Sequence, residues 1–210
     1  MERETAAVTT KIPPAPSFGE PLPITKSAEV LAFLARRRSA SAFTLGAPAP
    51  SEEEIADLLR LATRVPDHGK LAPWRFVILQ GEAKAAIGDR LNALAQTRAD
   101  ITKALASLGK FNAPPLAIVV VAHVVTLSDI PEWEQVLSAG AVCSTLVNAA
   151  SAMGYGANWI TDWYSSDEAA KAVIGVQPGE RVAGMVYIGT ASEAPLERVR
   201  PDVERLIRRP

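Results

Sequence analysis

The stretch LAIVVVAHVV, residues 116–125, decides the fold class of this chain. It is apolar at every position except His123, with no alternation between apolar and polar residues. Continuous runs of this kind are typical of strands that are covered on both faces of a sheet. The run therefore predicts a central strand with helices packed on both sides. We expect His123, inside that strand, to be a structural residue whose hydrogen bonds are satisfied.

The segments on either side alternate between helical and extended patterns. Ser51 with Glu54 three residues later forms a capping-box sequence, and apolar residues at helical spacing follow it. Further predicted helices cover about 27–37, 82–109 with one break, 133–153 and 166–174; further predicted strands cover 74–79, 157–161 and 181–190. The helix over 133–153 is small and apolar almost all round, so we expect it to be buried. This order predicts an α/β (α+β) sandwich, in which helices flank a sheet of about four or five strands.

The composition indicates one globular domain. The chain has 210 residues, of which 48% are hydrophobic and 21% are charged. Residues 1–25 contain five prolines, which favour neither a helix nor a central strand. We therefore expect an extended N-terminal arm over 1–25, either loose or laid along a partner, and a single domain over 26–210.

Charge and cysteine content exclude several classes of function. A formal net charge of -1 argues against a nucleic-acid binder, which usually carries a basic surface. The sequence has neither an apolar run of the roughly 18–20 residues that span a membrane nor a signal peptide. The single cysteine, Cys143, suits a reducing compartment, and we expect a cytoplasmic protein in which it is a buried packing group.

Familiar catalytic patterns are missing. GYGANW, residues 154–159, has two glycines of a dinucleotide fingerprint, but it lacks the third and follows a predicted helix instead of opening one. The sequence has no phosphate-loop pattern and no G-x-S-x-G elbow, and nothing supports a serine or cysteine triad. Two histidines and one cysteine are too few for most zinc sites, so we expect no metal.

Three polar clusters beside apolar segments remain. The first, Arg36-Arg37-Arg38-Ser39, is explained either by cations at the negative end of a helix dipole or by a phosphate clamp. The second, RVPDHGKLAPWRF at 64–76, reads as a helix stop and strand entry in which Trp74 belongs to the core. That interpretation leaves Arg64, His68 and Lys70 without a role.

The third cluster is NWIT, residues 158–161, which follows the two glycines. A bare backbone next to a flat aromatic side chain could flank a planar ligand. The alternative is a core tryptophan in a short strand, which is the commoner arrangement.

Taken in order, these clusters resemble the FMN-dependent nitroreductase family, and most of all its short bacterial NAD(P)H nitroreductases, over about residues 27–201. The resemblance implies a mixed, largely antiparallel sheet and an obligate homodimer with FMN in the subunit interface. It also implies a C-terminal extension that crosses to the partner subunit. The implied reaction is ping-pong, from NAD(P)H to FMN and then to a small nitroaromatic or quinone-like acceptor.

The resemblance also assigns residues. It implies FMN contacts from Arg37, Arg38, Ser39, Arg64, His68, Lys70, Trp159, Ile160, Thr161, Arg198 and Arg200. It places the nicotinamide near Ala149, Ala150, Ser151, Ala152, Met153 and Gly154. No catalytic side chain is expected, because the flavin carries the redox chemistry.

Three positions depart from the family pattern, and they bear on flavin potential and acceptor choice. Many members have Asn where Lys70 stands and Gln where Ala72 stands, and short-type relatives often have Arg where Ile160 stands. These departures leave open a flavin storage or sensor protein without turnover. A dehalogenating or flavin-fragmenting enzyme on the same scaffold is a second alternative. A structural or interaction module without flavin is a further alternative. The sequence identifies neither the acceptor nor a preference between NADH and NADPH.

Overall fold

The apolar run lies at the centre of the structure, a computed structural model that describes residues 12–210. Leu116–Ala122 forms a strand in which every side chain is at most 2% exposed. Alternate side chains point to opposite faces of a sheet. Val119 and Val121 accordingly join one hydrophobic cluster, and Ile118 and Val120 join another. The predicted central position is confirmed.

The described part of the chain contains a sheet of five strands, which all pair antiparallel. They are β1 (Leu45–Gly46), β2 (Trp74–Gln80), β3 (Leu116–Ala122), β4 (Gly156–Ile160) and β5 (Arg181–Ala191). The order is β1-β5-β3-β2, and β4 lies on the same side of β5 as β1. Because β3 pairs with both β2 and β5, it has no free edge. Within residues 12–210 no parallel pair accompanies these, so the described sheet is antiparallel where the resemblance implied a mixed one.

Helices cover both faces of the sheet, as predicted. They are α1 (Ala28–Arg36), α2 (Glu52–Ala62), α3 (Gly81–Ala95), α4 (Ile101–Asn112), α5 (Glu132–Ala152) and α6 (Glu168–Ile174). The residues of α3, α4 and α6 pack on one face, whereas those of α2 and α5 pack on the other. The predicted break within 82–109 is the turn between α3 and α4, and the predicted capping box of Ser51 and Glu54 begins α2.

Three expectations need correction. The strand that was predicted over 116–125 ends at Ala122. His123 therefore lies beyond the strand with an exposed ring, although its Nδ1 atom is 3.0 Å from Oε1 of Glu180, which supports a structural role. The helix predicted to be buried almost all round exposes Trp133 by 63% and Leu137 by 62%. Its apolar composition did not distinguish a covered face from an uncovered one.

The remaining expectations concern the N-terminal arm, Cys143 and membrane-spanning segments. Residues 1–11 of the predicted N-terminal arm lie outside them, and residues 12–25 contain no helix or strand. Cys143 is fully buried, and burial raises the pKa of its thiol to about 12, which confirms a packing role. No helix within residues 12–210 has the length and apolar character that crossing a bilayer requires.

An ion pair between the half-buried Arg75 and the buried Glu180 joins the start of β2 to the turn before β5. Glu180 is only 7% exposed, and it accepts hydrogen bonds from both Nε and Nη2 of Arg75. Arg75 also donates to the carbonyl of Gly175, which ends α6. The Arg75 hydrogen bonds are the largest cause that lowers the pKa of Glu180 to about 2. Removing one partner from such a pair leaves a buried charge without compensation.

We predict that Glu180→Gln lowers the free energy of unfolding by about 2 kcal/mol at pH 7, because the ion pair with Arg75 is lost. The folded pKa is depressed, so this contribution is present above the ordinary carboxyl pKa and is lost as pH falls from about 4.5 towards about 2. Urea unfolding at several pH values measures both effects. Glu204→Gln, at an exposed position in the C-terminal tail, is the matched control. Equal pH profiles for wild type and Glu180→Gln would contradict the assignment.

Candidate functional site

The arginine cluster lies where α1 meets the edge strand β4. Arg37 ends α1 by turning the backbone to φ -56° and ψ 128°. Three residues later, the amide of Ala40 donates to the carbonyl of Ala157 at 3.1 Å, and the side-chain amide of Asn158 donates to the carbonyl of Ala40. These bonds fix the arginine side chains beside the first residues of β4.

Arg37 carries a positive charge that the described residues leave uncompensated. Its Nη1 atom is buried and has no hydrogen-bond partner. Burial is the largest cause that lowers the pKa of Arg37, and the charges of Arg200 and Arg38 add to it. Nearby like charges and an unpaired buried donor are both unfavourable, and a bound anion would offset both.

A cavity of about 700 Å³ opens in front of this cluster. Arg36, Arg37 and Arg38 line it together with the turn after α5, the start of β4 and residues 191–195. A second cavity of about 370 Å³ adjoins it, since Arg38 lines both, and this second cavity includes Ser39. The Nε atom of Arg38 donates to the carbonyl of Leu196 at 3.0 Å and so holds the C-terminal tail beside both cavities.

The other end of β4 presents a half-exposed tryptophan. Trp159 is 42% exposed, so the core interpretation of this residue is wrong. Its Nε1 atom donates to the carbonyl of Ala183 on β5 at 3.3 Å. A side chain on Gly184 would place its Cβ 2.0 Å from Nε1 of Trp159, so the indole can occupy this position only because residue 184 is glycine.

Ile160 and Thr161 follow Trp159 in the sequence, but their side chains lie in different surroundings. Ile160 packs against the core on the face opposite to the indole, as strand alternation requires. The side chain of Ile160 therefore does not lie on the same face of β4 as the indole of Trp159. Thr161 comes directly after the strand and is exposed.

The loop before β2 is fixed to the first half of α5. Ser138 on α5 is 7% exposed; its hydroxyl donates to the carbonyl of Pro66 at 2.8 Å and accepts from Nε1 of Trp74 at 3.1 Å. The Nδ1 atom of His68 lies 2.6 Å from Oε2 of Glu134, one helical turn before Ser138. Trp74 is half-buried, and its indole has a polar partner as well as core contacts.

A cavity of about 400 Å³ lies beside this loop, lined by Pro66, Asp67, His68, Trp133, Glu134, Leu137, Ser138 and Ala141. It has no lining residue in common with the arginine cavity. The predicted site residues thus form two separate groups within one copy of the chain. Arg64, Lys70 and Arg198 are exposed and lie outside all four described cavities.

The predicted nicotinamide residues do not share one surface. Ala150 is fully buried and Ala149 is 8% exposed, whereas Ser151 and Gly154 line the arginine cavity. Successive residues of a helix point in directions about 100° apart, so a continuous run from 149 to 154 cannot face one ligand. The structure places two accessible members, Ser151 and Gly154, beside Arg36–Arg38, whereas the exposed Ala152 lines none of the described cavities.

One polar contact at the arginine cavity was not predicted. Tyr155 lines this cavity, and its hydroxyl donates to Oε2 of Glu54 at 2.9 Å. Burial, followed by the bond to Glu54, raises the pKa of Tyr155 to about 12, so the hydroxyl remains protonated at neutral pH. Glu54 was recognised in the sequence as a capping residue, but no local pattern links it to a residue 101 positions away.

The donor set suits a phosphate-bearing ligand. The unpaired Nη1 atom of Arg37, the neighbouring charges of Arg38 and Arg200, and the adjoining hydroxyl of Ser39 are groups that bind phosphate oxygens. Within residues 12–210 no group of three or more His, Cys, Asp and Glu side chains could hold a metal ion.

Comparison with known sequences identifies the relatives of this chain. The sequence model described as "Nitroreductase family" matches residues 34–190. The Escherichia coli K12 protein named "Putative NAD(P)H nitroreductase YdjA" is 33% identical over 165 residues, which cover 77% of this chain and 88% of that protein. A Haemophilus influenzae protein named "Putative NAD(P)H nitroreductase" is 33% identical over 168 residues, which cover 79% of this chain and 90% of its own length.

Solved structures share the fold at lower sequence identity. A nitroreductase-like family protein from Bacillus cereus superposes with a TM-score of 0.75 at 21% identity, over 89% of this chain and 98% of that chain. A nitroreductase from Desulfovibrio desulfuricans, solved in complex with FMN, gives a TM-score of 0.68 at 21% identity, over 89% and 99% of the two chains. The predicted nitroreductase-like fold, a largely antiparallel sheet flanked by helices, is therefore confirmed.

We predict that inorganic phosphate stabilises the protein through Arg37. At a concentration of about five times its dissociation constant, a ligand that binds the folded state adds about 1 kcal/mol to the free energy of unfolding. This addition raises the Tm of a chain of this size by about 2–4 °C. Arg37→Met should abolish this rise in a thermal-unfolding series with phosphate. Arg90→Met, at an exposed position of α3, should retain it. A phosphate effect of equal size in both variants would place the anion elsewhere.

Proposed function

This chain belongs to the nitroreductase family, and from that premise we propose that it is an FMN-dependent oxidoreductase. The donor is NAD(P)H, and the acceptor is a small nitroaromatic or quinone-like molecule. When bound, FMN supplies the chemistry, by accepting a hydride from the nicotinamide and then reducing the acceptor in a separate, ping-pong half-reaction. The protein contributes binding, orientation and charge, and no side chain of its own undergoes redox change.

The observation that carries this proposal is the unpaired Nη1 atom of Arg37 at one end of β4, with the exposed indole of Trp159 at the other. The first is suited to a phosphate and the second to a flat ring. A strand advances about 3.3 Å per residue, so Trp159 to Thr161 lie roughly 7–13 Å beyond Ala157, where the arginine segment is attached. An extended cofactor with a phosphate at one end and a ring at the other suits this spacing.

In this proposal, different residues bind different parts of the cofactor. Arg37, Arg38 and Arg200 hold the phosphate, and Ser39 donates or accepts at its adjoining oxygens. Trp159 and the backbone of Ile160 and Thr161 lie along the ring. Arg198, in the same tail segment as Arg200, is a further phosphate contact in this proposal.

A second copy of the chain completes the site in this proposal. The arginine cavity and the His68 cavity are separate within one copy, so a partner would bring His68, Lys70 and Arg64 to the flavin bound by the first. Apolar side chains that are uncovered in one copy favour such an interface. They include Val30, Leu31 and Leu34 on α1, Trp133 and Leu137 on α5, and Leu196 and Val199 in the tail.

The nicotinamide position that we propose differs from the one that the resemblance implied. Ala149 and Ala150 are buried, so we place the nicotinamide, and later the acceptor, over the open face of the ring near Trp159. Ser151 and Gly154 remain next to the phosphate end. A cytoplasmic location stays a prediction, based on the single cysteine.

Anaerobic mixing tests the proposed activity. The purified protein, supplemented with FMN, should be yellow and should bleach within seconds when NADH or NADPH is added. A nitroaromatic or quinone should then restore the colour, and varying both substrates should give parallel ping-pong lines. A protein that stays yellow would instead be a flavin storage or sensor protein. A protein that remains colourless after supplementation would contradict flavin binding altogether.

We predict that Lys70→Met lowers the flavin midpoint potential by on the order of 20 mV, which for two electrons corresponds to about 1 kcal/mol. A cation near the N1 and C2-carbonyl edge favours the reduced, anionic flavin, so removing it disfavours reduction. A reduction titration against a reference dye measures the potential. Lys103→Met, at an exposed position of α4, is the control. An unchanged potential in Lys70→Met would show that Lys70 does not act on the flavin.

A further inference from the structure

The loop between α2 and β2 is held in an unfavourable backbone conformation. Gly69 has φ +67°, but Lys70 at +56° and Ala72 at +45° carry side chains in the left-handed region. For residues with a Cβ, this region costs roughly 1–2 kcal/mol each. Such residues persist only where their surroundings impose the conformation, and they concentrate at functional sites.

The ends of the loop are fixed from outside. Ser138 bonds both Pro66 and Trp74, the residues that flank the strained segment, so it sets the distance between them. Gly69 faces Ile130, because a Cβ at position 69 would lie 2.6 Å from the Ile130 side chain. These contacts fix where the loop starts and ends, but none of them reaches the backbone of Lys70 or Ala72.

Asp67 makes the contact that closes the loop. Its Oδ2 atom accepts a hydrogen bond from the backbone amide of Ala72 at 2.8 Å, across five residues. Its Oδ1 atom is buried and has no hydrogen-bond partner. A buried carboxylate oxygen without a hydrogen-bond donor is unfavourable. Hydration of the carboxylate therefore does not explain why the Asp67 side chain occupies this position. The backbone of Ala72 thus has two described hydrogen bonds, because its carbonyl also accepts one from the amide of Trp74 at 2.7 Å. The bond to Asp67 is the one that reaches across the loop, and it opposes relaxation of Lys70 and Ala72 towards negative φ.

We propose that Asp67 is a positioning residue that holds loop 68–72 in its strained conformation and thereby fixes the direction of Lys70 at the flavin edge. The flavin part of this proposal rests on the proposed function. Without the Asp67 bond, Lys70 and Ala72 return to negative φ, and the Lys70 side chain leaves the direction that the loop gives it. Asp67 acts through Lys70 and does not touch the reacting atoms.

Hydrogen exchange of the protein without flavin tests the holding role by itself. Asp67→Ala should raise the exchange rate of the amides in 68–72 at least tenfold. Asp67→Asn keeps an acceptor oxygen for Ala72 and should stay near wild type. Asp67→Glu keeps the charge but moves the acceptor by one methylene, so it should resemble Asp67→Ala. Asp89→Ala, on the exposed surface of α3, is the control. Unchanged exchange in Asp67→Ala would overturn the proposal.

The flavin potential tests the positioning role in the loaded protein. Asp67→Ala should lower the midpoint potential in the same direction as Lys70→Met, and the double variant should show no further shift, because both changes remove one interaction. Additive shifts, or no shift in Asp67→Ala, would overturn the link to Lys70. If the wild-type protein binds no FMN, the proposed function fails, whereas the exchange experiment still decides whether Asp67 holds the loop. Should Asp67→Ala unfold, Asp67→Glu, which keeps the charge but displaces the acceptor, takes its place in both experiments.

Discussion

The burial of β3 on both faces is the constraint on which the rest of the structure depends. A strand with neither an exposed face nor a free edge needs a helical layer on each side and a strand on each flank. The short strand β4 is left at the outside of the sheet, beyond β5. The groups that suit a ligand, Arg37 at one end and Trp159 at the other, are both positioned by that outer strand. Because the centre of the sheet is tightly packed, the fold can tolerate a polar group without a hydrogen-bond partner at the edge of the sheet.

Most of the fold could be predicted because its signals are local. The apolar run at 116–122, the capping box at Ser51 and the break between α3 and α4 each depend on neighbours in sequence. The arginine cluster and the loop at 64–76 were singled out for a similar reason: helix and strand signals did not account for all of their polar residues. What these signals did not supply was exposure, so Trp159 and one side of α5 were judged more buried than they are.

The parts of the site that escaped prediction depend on contacts between distant residues. Ser138 bonds Pro66 from 72 positions away, Glu134 bonds His68 from 66 positions away, and Tyr155 bonds Glu54 from 101 positions away. A serine or a glutamate on a helix gives no sign of such a partner. The nicotinamide assignment has a related weakness: it treats a helical run as one surface, although the members of that run point in different directions.

Two unfavourable features distinguish this site from an ordinary surface, and they have different physical origins. At Arg37 the cost is electrostatic, because like charges and an unpaired donor are held together. At Lys70 and Ala72 the cost lies in the backbone. An anion can remove the first cost on binding, so it contributes directly to affinity for a phosphate. An anion does not remove the second cost, because it lies in backbone φ angles, which we propose are maintained by the bond from the Ala72 amide to Asp67. The arginine end is therefore suited to capturing a ligand, and the loop is suited to presenting a fixed charge to it.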